Sequence, residues 1–161
     1  MRIYIESTIP SHLVARPARD LLQAARQQMT KDWWDLKRHN HELFTSQIVL
    51  DEIAEGERAM ANHRLKIMSG IPMLDLTAEA ADLTRRILDS GLVPAKADAD
   101  AAHIALATVH QMDILLTWNC RHIANVEIQA RLRRLVEANG YVLPTVCTMD
   151  ELIGELYEHN D

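Results

Sequence analysis

Four polar residues sit where apolar segments end or begin, and their types suit metal or phosphate chemistry: Glu6, Glu52, Asp100 and Asn119. Glu6 follows Ile3-Tyr4-Ile5 and precedes Ser7-Thr8-Ile9-Pro10. The β-branched and aromatic run reads as a buried strand, and the hydroxyl and proline cluster reads as its end. The carboxylate is then delivered to a strand's carboxyl tip, the edge where open α/β sheets gather ligands. Glu52 lies in a helical pattern after Ser46, which is placed to cap it. At about 100° per residue it projects between Ile48 and Val49, inside the apolar sector, with Asp51 and Glu55 at the outer edge. A carboxylate so placed is costly unless paired, protonated or bound to a metal, and an ion pair at the core edge is the plainest of these.

The stretch Ala95 to His110 carries a helix that is apolar on nearly every side, with its polar residues crowded into the first turn. Asp98 reads as the N-cap. Asp100 either complements the helix dipole or belongs to a site. His103, three residues on, is spaced to reach the same end, yet a lone histidine on such a helix more often hydrogen-bonds within the core. Thr117-Trp118-Asn119 closes another apolar strand, the same switch from apolar to polar seen at Glu6. Taken alone, Asn119 reads as a turn residue.

The elements that must position these groups follow from the alternation of short apolar runs with longer helical patterns, the mark of a parallel α/β sheet. Strands are expected at Ile3–Ile5, Leu43–Ser46, Pro72–Asp75, Ile114–Thr117 and Tyr141–Val142. Helices are expected over Pro17–His39, Gln47–Met60, Ala78–Ser90, Ala99–His110, Glu127–Asn139 and Met149–Tyr157, the last capped by Thr148. In the first of these, Leu21, Leu22, Ala25, Met29, Trp33 and Leu36 recur at helical spacing as a core face. A parallel sheet brings the ends of its strands and the starts of the following helices to one edge, so Glu6, Asp100 and Asn119 converge there and Glu52 can reach them. Three acids around one point repel one another unless a cation neutralises them, and hard oxygen donors favour Mg²⁺ or Mn²⁺.

Composition narrows the classes. The 161 residues fit one domain, 1–161, able to bury a core without disulfides. With no apolar run long enough to cross a membrane and no apolar leader, the reading is a soluble, cytoplasmic protein. Cys120 and Cys147 match no zinc spacing and read as reduced, packed thiols. A net charge of −6 argues against a protein that coats nucleic acid by bulk attraction. One local basic segment remains, with Arg16, Arg19, Arg26, Lys31, Lys37 and Arg38 against Asp20, Asp32 and Asp35. The end is acidic: Asp150, Glu151, Glu155, Glu158 and Asp161 meet no Lys or Arg. Both stretches also read as ordinary solvated helix faces.

An acid after the first strand ("YIESTIPS"), an acid in the helix after the second ("LDEI"), "DAAHIALA" opening a central helix and "LLTWN" closing a strand together resemble the PIN-domain family. Within it they are similar to the VapC-like toxins of bacterial toxin–antitoxin pairs. The resemblance runs from Met1 to about Leu152. It implies a PIN-like three-layer α/β/α sandwich with a central parallel sheet of about five strands. It also implies a metal-dependent endoribonuclease that hydrolyses RNA phosphodiesters with Mg²⁺ or Mn²⁺, a homodimer, and a cognate antitoxin partner. Carried over by position, the acidic quartet falls on Glu6, Glu52, Asp100 and Asn119, with Ser7, Thr8 and Thr117 beside it. The implied roles are direct ligation for Glu6 and Asp100, ligation or proton abstraction for Glu52, and water-mediated contact or phosphate orientation for Asn119. The Arg16 to Arg38 segment would supply RNA backbone contacts, and of Trp33 and Trp34 one is expected in the core and one at an interface.

Two positions depart from the family's usual aspartates. Glu6 is a methylene longer, and Asn119 keeps an oxygen but loses a charge, so a second metal would be held less firmly. A fold of this kind that binds RNA or a protein without cutting is the alternative, separated by divalent-metal binding near Glu6 and Asp100. A flavodoxin-like receiver would need paired acids after the first strand and a late Lys, and no Lys follows Lys96.

Overall fold

The computed structural model describes residues 1–157. Five strands, β1 (Arg2–Ile5), β2 (Glu42–Ser46), β3 (Met73–Leu74), β4 (Ile114–Leu116) and β5 (Thr145–Cys147), form one sheet in the order β3-β2-β1-β4-β5. Every pairing is parallel, with Ile5 opposite Leu116 and Leu116 opposite Cys147. The three residues Ile3, Tyr4 and Ile5 of the central strand are wholly buried. That is why β1 reads as a continuous apolar run, covered on both faces, rather than as an alternating one.

Among the described residues, eight α-helices complete the three-layer α/β/α sandwich: α1 (Thr8–Val14), α2 (Leu21–Leu36), α3 (Gln47–Ile53), α4 (Arg58–Met68), α5 (Ala78–Asp89), α6 (Asp98–Val109), α7 (Val126–Ala138) and α8 (Met149–Tyr157). Helix α5 packs on α6 and α7, while α1 packs on α2 and α4, and α2 on α8. Helix α6 is buried without interruption from Ala101 to Thr108. Its apolar surround fits a helix enclosed by sheet and neighbours.

The chain leaves β1 for β2 and β3 on one side, then returns to β4 and β5 on the other. A reversal of this kind opens a crevice at the carboxyl ends of the two diverging strands, β1 and β4. Glu6 and Thr117 are the residues that follow them.

Several expectations need correction. The helix expected over Gln47–Met60 is two helices, because Gly56 adopts a positive φ of 87° that breaks the chain direction after α3. Helix α1 went unread, since its Ser-Thr-Pro start resembles a loop. The last strand is β5 rather than Tyr141–Val142. Pro144 lacks the N–H a ladder needs, and pairing with β4 begins just beyond it at Thr145. Of the expected stripe, helix α2 buries Trp33 and packs Met29 partly against the core; its other buried residues are Thr30 and Trp34, and Leu21 and Leu36 are left 87% and 72% exposed. Both tryptophans are therefore core. Asp98 begins α6 rather than capping it, accepting only from the N–H of Ala99. Cys120 is exposed on the loop after β4, whereas Cys147 is buried in β5. Of the acidic end, Glu158 and Asp161 lie outside the described residues.

Ser46 caps α3 by accepting from the Val49 N–H at 3.3 Å, and its hydroxyl shares a buried 2.8 Å hydrogen bond with the Tyr4 hydroxyl. Ser46→Ala removes both, at an expected cost of about 1–2 kcal/mol. A lower urea midpoint with an unchanged m-value would show it, and an unchanged midpoint would refute it.

Candidate active site

Glu6 is only 2% exposed, yet its carboxylate is well supplied with donors. Oε2 accepts from the Thr8 N–H at 3.1 Å, the Thr8 hydroxyl at 2.5 Å and the Thr117 hydroxyl at 2.7 Å. The first two come from the start of α1, which the "ESTIP" sequence folds directly back over the strand end. The third comes from the neighbouring strand, because Ile5 stands opposite Leu116. All three fall on one oxygen, which fixes the carboxylate's orientation.

Glu52 is held by two elements other than its own. Its Oε1 accepts from the Ser7 hydroxyl at 2.6 Å and from His103 Nε2 at 2.5 Å. A carboxylate only accepts, so Nε2 carries the hydrogen. The His103 ring is fully buried, and Nδ1 lies 2.7 Å from the Tyr4 hydroxyl. A hydrogen-bonded chain thus runs Ser46–Tyr4–His103–Glu52–Ser7, from the cap of α3 through the core to the crevice. Burial by itself would raise the Glu52 pKa, but the hydrogen bond and charge of His103 and the bond from Ser7 outweigh it and hold the carboxyl below its usual range. Burial would likewise lower the His103 pKa, but the hydrogen bond to Glu52 and the charges of Glu6, Glu52 and Asp100 raise it. The same burial pushes the Tyr4 phenol well above its ordinary range, so it stays protonated.

Among the described residues, the His, Cys, Asp and Glu side chains whose ligand atoms gather within 4.8 Å as a group of three or more are Glu6, Glu52 and His103. Asp100 is not in that group. Its Oδ2 is bound to His122 Nδ1 at 2.8 Å, both side chains being about one-sixth exposed (15% and 17%). Asn119 shapes the turn after β4. Its Oδ1 accepts from the His122 N–H at 3.1 Å and its carbonyl from the Ala124 N–H at 2.8 Å. Asn119 thereby positions the backbone of the histidine that contacts Asp100.

Of the four residues singled out from the sequence, the structure brings a ligand atom of Glu6 and one of Glu52 within 4.8 Å of each other and places Asp100 and Asn119 together through His122. His103 answers the core-hydrogen-bond expectation and also enters the carboxylate group. Tyr4 and His122 were missed. Tyr4 is indistinguishable from core in the pattern "IYI", and His122 follows the expected strand in a loop without periodicity. The signal that could have found His122 is that it lies three residues after Asn119, within reach of the same turn.

No family model and no curated protein sequence matches this chain. In structure it is similar to a chain of the crystal structure of VapBC2 from Rickettsia felis bound to a DNA fragment from their promoter. The two share 14% sequence identity with a TM-score of 0.58, over 92% of this chain and 98% of that one. At such identity the likeness is one of fold, and it is the PIN-like fold that the sequence pattern implies.

Proposed function

We propose that this chain is a metal-dependent endoribonuclease that hydrolyses RNA phosphodiester bonds, the toxin of a toxin–antitoxin pair. The observation that carries the reading is the grouping of Glu6 and Glu52 with His103 within 4.8 Å at the crevice between β1 and β4. Two carboxylates held that close favour a cation between them, and an oxygen-rich set suits Mg²⁺ or Mn²⁺. Glu6, Glu52 and Asp100 are the residues that would hold it, with Asn119 acting through the turn it builds. When bound, such an ion supplies charge neutralisation at the phosphate and a lowered pKa for the attacking water.

The protein's own groups prepare that chemistry. Thr8 and Thr117 orient Glu6, so its longer side chain is anchored rather than swinging. Ser7 and His103 both donate to Glu52 and favour its ionised form, the form in which a carboxylate holds a cation. Both His103 nitrogens are already engaged, so its part is to brace Glu52.

The structural neighbour is a VapBC2 assembly, which supports an antitoxin partner here. A homodimer and a cytoplasmic setting belong to the same reading. No helix among the described residues is long and apolar enough to cross a membrane. The engagement of Asp100 with His122, outside the carboxylate group, favours a second reading, in which the fold binds RNA or a protein without cutting.

Purified protein incubated with labelled RNA separates the two. Cleavage that requires Mg²⁺ or Mn²⁺, stops with chelator and falls at least about 100-fold in Asp100→Ala is the expected result. Equal cleavage by wild type and Asp100→Ala would point to a contaminant and defeat the assignment. RNA binding without cleavage would establish the second reading.

A further inference from the structure

We propose that Arg26, laid over the ring of Trp118, is the anion-binding residue that anchors a flanking phosphate of the nucleic-acid strand beside the carboxylate crevice. The inference rests on the nuclease reading above. A crevice built from Glu6, Glu52 and Asp100 repels a polyanion, so affinity must come from cations at its margin. Six Lys and Arg residues lie in the segment from Arg16 to Arg38, and the structure directs three of its arginines differently. Arg16 pairs with Glu57 at 3.4 Å, and Arg38 lies 4.8 Å from the Trp34 ring centre, against the core tryptophans. Arg26 lies instead over Trp118, the residue next to the Thr117 that donates to Glu6, with its guanidinium carbon 5.0 Å from the ring centre.

Trp118 is fixed at both ends. Its backbone N–H donates to the Thr8 hydroxyl at 2.7 Å, and that hydroxyl in turn donates to Glu6. Its indole N–H donates to the Thr30 hydroxyl at 2.8 Å, and Thr30 donates to the Arg26 carbonyl at 2.6 Å. Trp118 therefore connects the Glu6 support, through its backbone, to the turn of α2 that carries Arg26, through its indole. His12 stacks on the same indole with ring centres 5.6 Å apart, its Nδ1 donating to the Thr8 carbonyl. Stacking occupies the face of a guanidinium and leaves its edge N–H groups available, the geometry in which Arg binds phosphate through two parallel hydrogen bonds. Among the described residues Arg26 forms no ion pair with a carboxylate, so that edge is not already neutralised. A bland role, Arg26 merely covering the indole, would need the stacked face alone.

The test is fluorescence anisotropy of a labelled single-stranded RNA with the full chain, in Ca²⁺ buffer, at several NaCl concentrations. Wild type is expected to bind. Arg26→Met, which keeps a stem over the indole without the charge, is expected to bind about 5–10-fold more weakly, with the salt slope reduced by about 0.7. Arg26→Lys should recover part of the affinity, and Mn²⁺ affinity measured by calorimetry should be the same in all three. Equal RNA affinity and salt slope in wild type and Arg26→Met would overturn the inference while leaving the nuclease reading intact. Wild type that binds no RNA would overturn both. Unchanged tryptophan fluorescence in Arg26→Met would show that Trp118 kept its place, and a changed spectrum with normal RNA binding would also count against the proposal.

Discussion

Glu6→Gln is expected to lower RNA cleavage about 100-fold or more and to weaken Mn²⁺ binding at least tenfold, with the fold intact to within about 1 kcal/mol. The argument rests on what Gln keeps and what it loses. Its amide oxygen can still accept from Thr8 and Thr117, so the three donors that converge on Oε2 are not orphaned. Its charge is gone, and charge is what makes two neighbouring carboxylates attract a cation. Glu6→Ala is a poorer experiment, because it leaves those three buried donors without an acceptor and adds about 1–3 kcal/mol of destabilisation for each one that finds no substitute. Glu6→Asp asks a sharper question. Asp is the usual residue in the family that the sequence resembles, yet here the shorter side chain cannot span from the strand end to the Thr117 hydroxyl without movement. Calorimetric Mn²⁺ titration and melting temperature should be read together. Wild-type Mn²⁺ affinity in Glu6→Gln, with an unchanged melting temperature, would remove Glu6 from the proposed metal site.

How much of this was legible beforehand depends on whether a residue's role is local. Glu6 could be read because an apolar strand ends on it, and Ser46 because a cap is a nearest-neighbour device. The parallel sheet and the edge its strand ends share follow from the alternation of short and long apolar patterns, whereas the order β3-β2-β1-β4-β5 is set by packing that no such pattern records. Glu52 was legible as a misplaced charge but its partner was not, since His103 is separated from it by 51 residues and meets it only through packing of α3 on α6. The stripe in α2 misled for a related reason. Leu21, Leu22 and Leu36 have helical spacing, but the rotation of the helix is set by Trp33 and Trp34 filling the core and by Thr30 accepting from the Trp118 indole. Periodicity records which residues could face a core, and packing decides which do. The resulting exposed leucines, unlike Glu6 and Glu52, have no polar signature from which their surroundings could be inferred.

His103→Leu is expected to destabilise the protein by about 2–4 kcal/mol, and by an amount that depends on pH. Leu fills most of the volume but removes the donor to Glu52 and the partner of Tyr4, breaking the chain that joins the core to the crevice. For a protein of this size each kcal/mol shifts the melting temperature by about 2–4 °C, so the loss should be plain in a thermal scan. The sign of the pH dependence follows from the two partners. His103 has a pKa raised above its ordinary 6.5, so what it contributes is fully present below that value and is lost as pH rises through the higher folded-state value. Glu52 has a pKa lowered from its ordinary 4.5, so what it contributes is fully present above that value and is lost as pH falls through the lower folded-state value. The stability gap between wild type and His103→Leu should therefore be widest between 4.5 and 6.5 and should narrow on the alkaline side. Urea denaturation of both proteins in chelated buffer across that range measures it directly. A gap that stays constant from about pH 5 to about pH 9 would mean that His103 is neutral throughout and holds Glu52 by an uncharged hydrogen bond alone. In that case its neutral Nδ1 would accept from the Tyr4 hydroxyl, and Tyr4→Phe should then cost nearly as much as the loss of the histidine.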